Sequence, residues 1–123
     1  MPRVLIVEDD PDLLFLYQTA LTHNGFEVVN ADDAHSAMAH LDNQKFDAII
    51  LDLNLPDAHG SVVIDHMTQN NHHSPSRVVV ITANDHWVGN IHDRGVRQIL
   101  VKPVSMTRVV EVVSELIQEQ PSG

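Results

Sequence analysis

The sequence predicts a doubly wound α/β sandwich, a parallel sheet covered by helices on both faces. Three observations predict it. Short β-branched runs recur along the 123 residues. These runs are continuously apolar rather than alternating, which suits strands buried on both faces. The stretches between them carry helical periodicity, as right-handed strand–helix–strand crossovers require.

The first strand covers residues 4–7, VLIV, and runs straight into Glu8-Asp9-Asp10-Pro11-Asp12. Asp10 before Pro11 is a helix start, because the carboxylate caps free first-turn amides and proline supplies helical φ. Asp12 adds an acid facing the helix dipole. In the helix that follows, Leu13, Leu16, Tyr17, Ala20 and Leu21 form the apolar face, and Gly25 is the stop. Phe15 falls off that stripe, so it is expected to be exposed, with Gln18 and Thr19 on the same side. Further strands are predicted at residues 26–30, 48–51, 78–81 and 99–101. Helices are predicted at residues 34–41, 61–68, 85–94 and 106–118. Together they make one domain over residues 1–120, with residues 121–123 a tail or the start of a linker.

Composition narrows the function. The net charge of −10 argues against direct nucleic-acid binding, which needs a basic footprint. The apolar fraction of 43% suits a packed core rather than disorder. With no cysteine there are no disulfides, which fits a reducing compartment such as the cytoplasm. No apolar run approaches membrane-spanning length, and the stretch after Met1-Pro2-Arg3 is too short for a secretory signal.

The chemistry gathers at strand ends, where open α/β sheets bind ligands. Asp10 and Asp12 are accounted for by the helix start, which leaves Glu8 and Asp9 at the tip of the first strand. The third strand also ends in an acid, Asp52. If the two strands are neighbours, three carboxylates meet and raise one another's pKa unless a cation joins them. Mg²⁺, a hard ion preferring oxygen, is the natural partner. The fourth strand ends at Thr82, a hydroxyl, and the fifth at Lys102, a cation. Carboxylates, hydroxyl and lysine, each at a different strand end, suit phosphoryl transfer, with a carboxylate as nucleophile and positive charge on the phosphate oxygens.

The segments VLIVEDD, LDLNLPDAHG, ITA and GVRQILVKP, in this order, resemble the receiver domain of two-component response regulators over nearly the whole chain. The resemblance implies a flavodoxin-like (βα)5 three-layer sandwich with strand order 2-1-3-4-5. It implies Asp52 as phosphoacceptor from a histidine kinase or phosphotransfer protein. Glu8, Asp9, Asp52 and the backbone carbonyl of Asn54 would hold Mg²⁺. Thr82 would turn toward the phosphoryl group, Lys102 would contact it, and the Lys102-Pro103 bond would be cis. The expected product is a signalling switch rather than an enzyme, acting through an attached effector domain or a downstream protein, with a homodimer left open.

Departures from that family's pattern cluster on one side. Ile99 stands where an aromatic is usual, and Val104 where phenylalanine is usual. The segment from Thr82 to Lys102 is short, and Gly89 weakens its helix. Two other functions compete. A phosphatase of the haloacid dehalogenase type would use Asp10-Pro11-Asp12, and a degenerate receiver would only bind. Nine histidines show no metal spacing. His72-His73 reads as a loop, and His59 as a solvated loop residue near Asp52. Trp87 reads as a packed aromatic. Glu111, Glu115 and Glu119 read as a solvated helix face.

Overall fold

The computed structural model describes residues 1–70, 73–84, 86 and 88–119, with the side chain of residue 119 outside the description. The calls on His72, Trp87, the side chain of Glu119 and the tail at 121–123 therefore lie outside the described residues.

Five parallel strands form one sheet in the order β2-β1-β3-β4-β5. They are β1 (Arg3–Val7), β2 (Glu27–Ala31), β3 (Ala48–Leu51), β4 (Val78–Thr82) and β5 (Gln98–Val101). The helices are α1 (Pro11–His23), α2 (Ala34–Asn43), α3 (Ser61–Asn70), α4 (Val88–Asp93) and α5 (Met106–Glu119). Alternate residues along each strand point to opposite faces, so the core divides in two. Leu5, Val7, Ile49, Leu51, Val78 and Val80 pack with residues of α2, α3 and α4. Val4, Ile6, Ile50, Val79 and Ile81 pack with Tyr17, Leu21 and the buried face of α5. Covering both faces explains why these strands read as unbroken apolar runs.

The expected layout holds, with local differences. Leu16, placed on the apolar face of α1, is 47% exposed, while Leu14 packs on the core instead. The buried stripe is centred on Tyr17 and Leu21, and Leu16 lies about 100° around the helix from Tyr17. The second strand begins one residue late because the Phe26 amide still donates to Leu21 at the end of α1 (3.0 Å). Gly25 stops α1 as expected, with φ +90, which only glycine adopts at little cost. Among the described residues the fourth helix covers Val88–Asp93, and the start expected at residue 85 lies outside them. Ahead of it, the Asn84 side chain accepts from the His86 amide (2.8 Å). Among the described residues, no helix is long and apolar enough to cross a membrane.

Candidate functional site

Strand register builds the site. Val7 pairs with Leu51, so β1 and β3 end level. The next amides continue the ladder, Asp52 donating to Val7 (3.0 Å) and Glu8 to Ala31 on β2 (3.0 Å). Glu8 and Asp52 thus emerge side by side at the carboxyl edge, 2% and 5% exposed. With the exposed Asp9 they bring three carboxylates together, one oxygen of each lying within 4.8 Å of the others. On the other side Thr82 pairs with Val101, and the Lys102 amide donates to the Thr82 carbonyl (2.7 Å). The Lys102-Pro103 bond is cis, as expected.

Lys102 reaches back across the sheet. Its Nζ donates to Glu8 Oε1 and to Asp52 Oδ2, each at 3.1 Å. Burial pushes Glu8 up to about 7, helped by the hydrogen bond and charge of neighbouring Asp52, and the pull of Lys102 does not undo it. Burial alone would lower Lys102, but its bonds to Asp52 and Glu8 outweigh this and hold it above its usual value. The lysine therefore stays charged, while the acid pair remains short of positive charge. A set of carboxylate oxygens in that condition fits a hard divalent cation.

Other residues hold this frame. Asp52 Oδ1 accepts from the Asn54 amide (2.9 Å), turning the chain sharply after β3. Gly60 closes the same loop by donating to Leu53 (2.7 Å). A Cβ there would sit 2.6 Å from the Asp52 carbonyl oxygen, so no other residue fits without a shift. Thr82 is buried, and its Oγ1 accepts from the Asn84 amide (3.3 Å). Asp10 is spent on its cap, its Oδ1 accepting from the amides of Asp12 and Leu13.

Several expectations change in detail. His59 is half-buried rather than solvated. It turns to Ser61, with Nδ1 2.8 Å from the hydroxyl, and burial holds its pKa low. His73 lies in a loop yet is buried, its Nε2 accepting from the Phe46 amide (3.1 Å). Glu111 and Glu115 are exposed as expected. Phe15 is 66% exposed and lines a shallow cleft of about 400 Å³ with Gln18, Thr19, Thr22 and His23. One residue near the site escaped the sequence reading. Asp57, in the loop after β3, accepts from the amides of Ala34 and His35 at the start of α2 (2.8 and 3.0 Å).

The family model described as "Response regulator receiver domain" matches residues 4–114. The transcriptional regulatory protein PrrA of Mycobacterium tuberculosis is 33% identical over 98% of this chain and 52% of its own length. The chain therefore spans about half of that relative. The signal receiver domain of a Luxo repressor protein from Vibrio parahaemolyticus superposes with TM-score 0.87 at 30% identity, covering 95% of this chain and 90% of that one. A receiver domain of a sensor histidine kinase from Pseudomonas aeruginosa PAO1 shares the fold. Its TM-score is 0.85 at 24% identity, with 96% and 98% covered, and its structure has a magnesium ion coordinated in the active-site cleft. The chain belongs to the response regulator receiver domain family.

Proposed function

We propose that this receiver is switched by phosphorylation of Asp52. Receivers of the family take a phosphoryl group onto an aspartate from histidine kinases. The observation that carries the assignment to Asp52 is the reach of Lys102 to both Asp52 and Glu8 inside a three-carboxylate cluster.

In this reading a carboxylate oxygen of Asp52 attacks the phosphorus of a phosphohistidine on the donor protein. The phosphorus–nitrogen bond breaks, its electron pair returns to the imidazole, and an acyl phosphate remains on Asp52. Lys102 leaves its pairing with Asp52 and follows the negative charge onto a phosphoryl oxygen. Glu8, Asp9, Asp52 and the Asn54 carbonyl would hold Mg²⁺, which supplies positive charge that lets a second anion approach the acids. For Thr82 to reach the phosphoryl group, its hydroxyl must give up the Asn84 amide. That links the chemistry to the chain leading into α4.

The domain would span residues 1–120 and work in the cytoplasm as a switch that turns over only its own phosphate. Its upstream partner is a histidine kinase or phosphotransfer protein, and its downstream partner an effector domain or separate protein. The phosphatase reading loses ground because Asp10, its required acid, is committed to the α1 cap. Intact-mass spectrometry with acetyl phosphate tests the proposal. One phosphate should be added only with Mg²⁺, and none to Asp52→Asn; equal labelling of that variant would overturn the assignment.

A further inference from the structure

The loop from Asp52 to Gly60 is closed at its base, and near its tip Pro56 and Asp57 are exposed. Its base is closed by Asn54 donating to Asp52, by Gly60 donating to Leu53, and by an antiparallel bridge between Asn54 and His59. Leu55 and Ala58 are partly buried against the core beneath α2, α3 and α4. Among the described residues, the tip hydrogen-bonds to another element through Asp57. Its two carboxylate oxygens divide between two successive amides, Oδ1 taking Ala34 (2.8 Å) and Oδ2 taking His35 (3.0 Å).

Those amides belong to the first turn of α2, where backbone donors have no partner inside the helix. The local cap, Asp33, takes only the third, from Ser36 (2.7 Å). Two carboxylates therefore share the three amides, and the one from the distant loop takes two. The bonds are charge-assisted and lie at the positive end of the helix dipole, the geometry that favours a carboxylate most. They hold the Asp57 carboxyl below its usual range, the Ala34 amide contributing most. Asp57 lies five positions after Asp52 and three after Asn54. The strut is thus a short, closed piece of chain away from two of the groups that would hold the cation.

We propose that Asp57 is a positioning residue for the phosphorylation site, holding the loop against α2 so that Asn54 and Asp52 stay in metal-binding geometry. This rests on the functional reading above. Removing the strut frees the tip to lean away, and the Asn54 carbonyl goes with it. Residues that orient metal ligands typically change affinity by about 10–100-fold when removed, and the loss expected for Asp57→Ala is roughly 10-fold, the lower end of that range. Asp57→Asn keeps one acceptor oxygen and should fall between Asp57→Ala and wild type.

A control separates positioning from helix stability. Asp33→Ala removes a cap from the same helix end without touching the loop. Mg²⁺ binding is measured by isothermal titration on wild type, Asp57→Ala, Asp57→Asn and Asp33→Ala, with a thermal melt of each. Asp57→Ala should weaken Mg²⁺ roughly 10-fold, while Asp33→Ala lowers the melting temperature with Mg²⁺ affinity unchanged. Equal weakening in Asp33→Ala and Asp57→Ala overturns the proposal, since helix stability then explains both. Wild type that binds, with Asp57→Ala binding as tightly, overturns this inference alone. Wild type that fails to bind Mg²⁺ overturns the functional reading and this inference with it.

Discussion

Where β1 and β3 lie side by side, every residue from Val4 to Val7 and from Ala48 to Leu51 is buried. Where β4 meets β5, the edge strand has no fully buried residue, and Val101 is 46% exposed. The helices repeat the contrast. The α1 and α2 helices run 13 and 10 residues and are capped by Asp10 and Asp33, whereas α4 runs six. The acids stand on the covered half, and Thr82 and Lys102 come from β4 and β5. Close placement of like charges needs a frame that does not give way, since each carboxylate would otherwise move off into water. A response needs the opposite, an element whose order is worth little and can change. The site joins the two across its middle through Lys102.

Core substitution probes that contrast most strongly. Ile50→Ala, in β3, should cost about 2–5 kcal/mol through lost burial and an unfilled cavity. Val101→Ala, on the edge strand, should stay within about 0.5 kcal/mol. Urea denaturation measures both, and similar costs would break the comparison.

Glu8 sharpens the comparison from the acid side. Its folded value of about 7 lies above the ordinary 4.5, so the fold favours the protonated acid. In metal-free protein its stabilising contribution is complete below pH 4.5 and disappears as pH rises through about 7. A cation must displace that proton, so Mg²⁺ affinity should fall about tenfold per pH unit below neutrality. Glu8→Gln should flatten that slope. Titration calorimetry on both sides of neutrality reads it, and an unchanged slope in the variant would assign the proton to another group.

The smallest effect is expected at Ile99, which is partly buried against the core cluster that includes Ile91 of α4. A β-branched side chain is restricted at χ1 and cannot make the wide swing open to an aromatic. Coupling from the Thr82 loop to β5 should therefore fall below the ~1–3 kcal/mol usual for linked sites. Amide exchange with a beryllofluoride phosphate mimic should protect the loops after Asp52 and Thr82 and leave β5 little changed. A large change in α4 would place the signal in helix order. Rearrangement centred on β5 and α5 would contradict the prediction.

Most of the fold was legible because it is written in neighbours. A strand covered on both faces must be apolar at every position, and Asp10-Pro11 acts within one helical turn, so both show in a few consecutive letters. The acids were legible for the opposite reason: nothing in the neighbouring letters called for Glu8, Asp9 or Asp52, so they stood out once their strands were placed. Leu16 shows the limit of periodicity, which marks a stripe while the packing of α1 on β2 and α5 sets its centre. His73 reads as one more polar loop residue until the Phe46 amide, 27 residues away, needs an acceptor. Asp57 drew no reading of its own, because its partners stand 23 and 22 residues upstream. What the sequence determined by itself were the elements and the residue types at their ends, since backbone preference and burial act over a few residues. Which free amide meets which distant acceptor was decided by the tertiary structure, because those groups have no contact until the layers close.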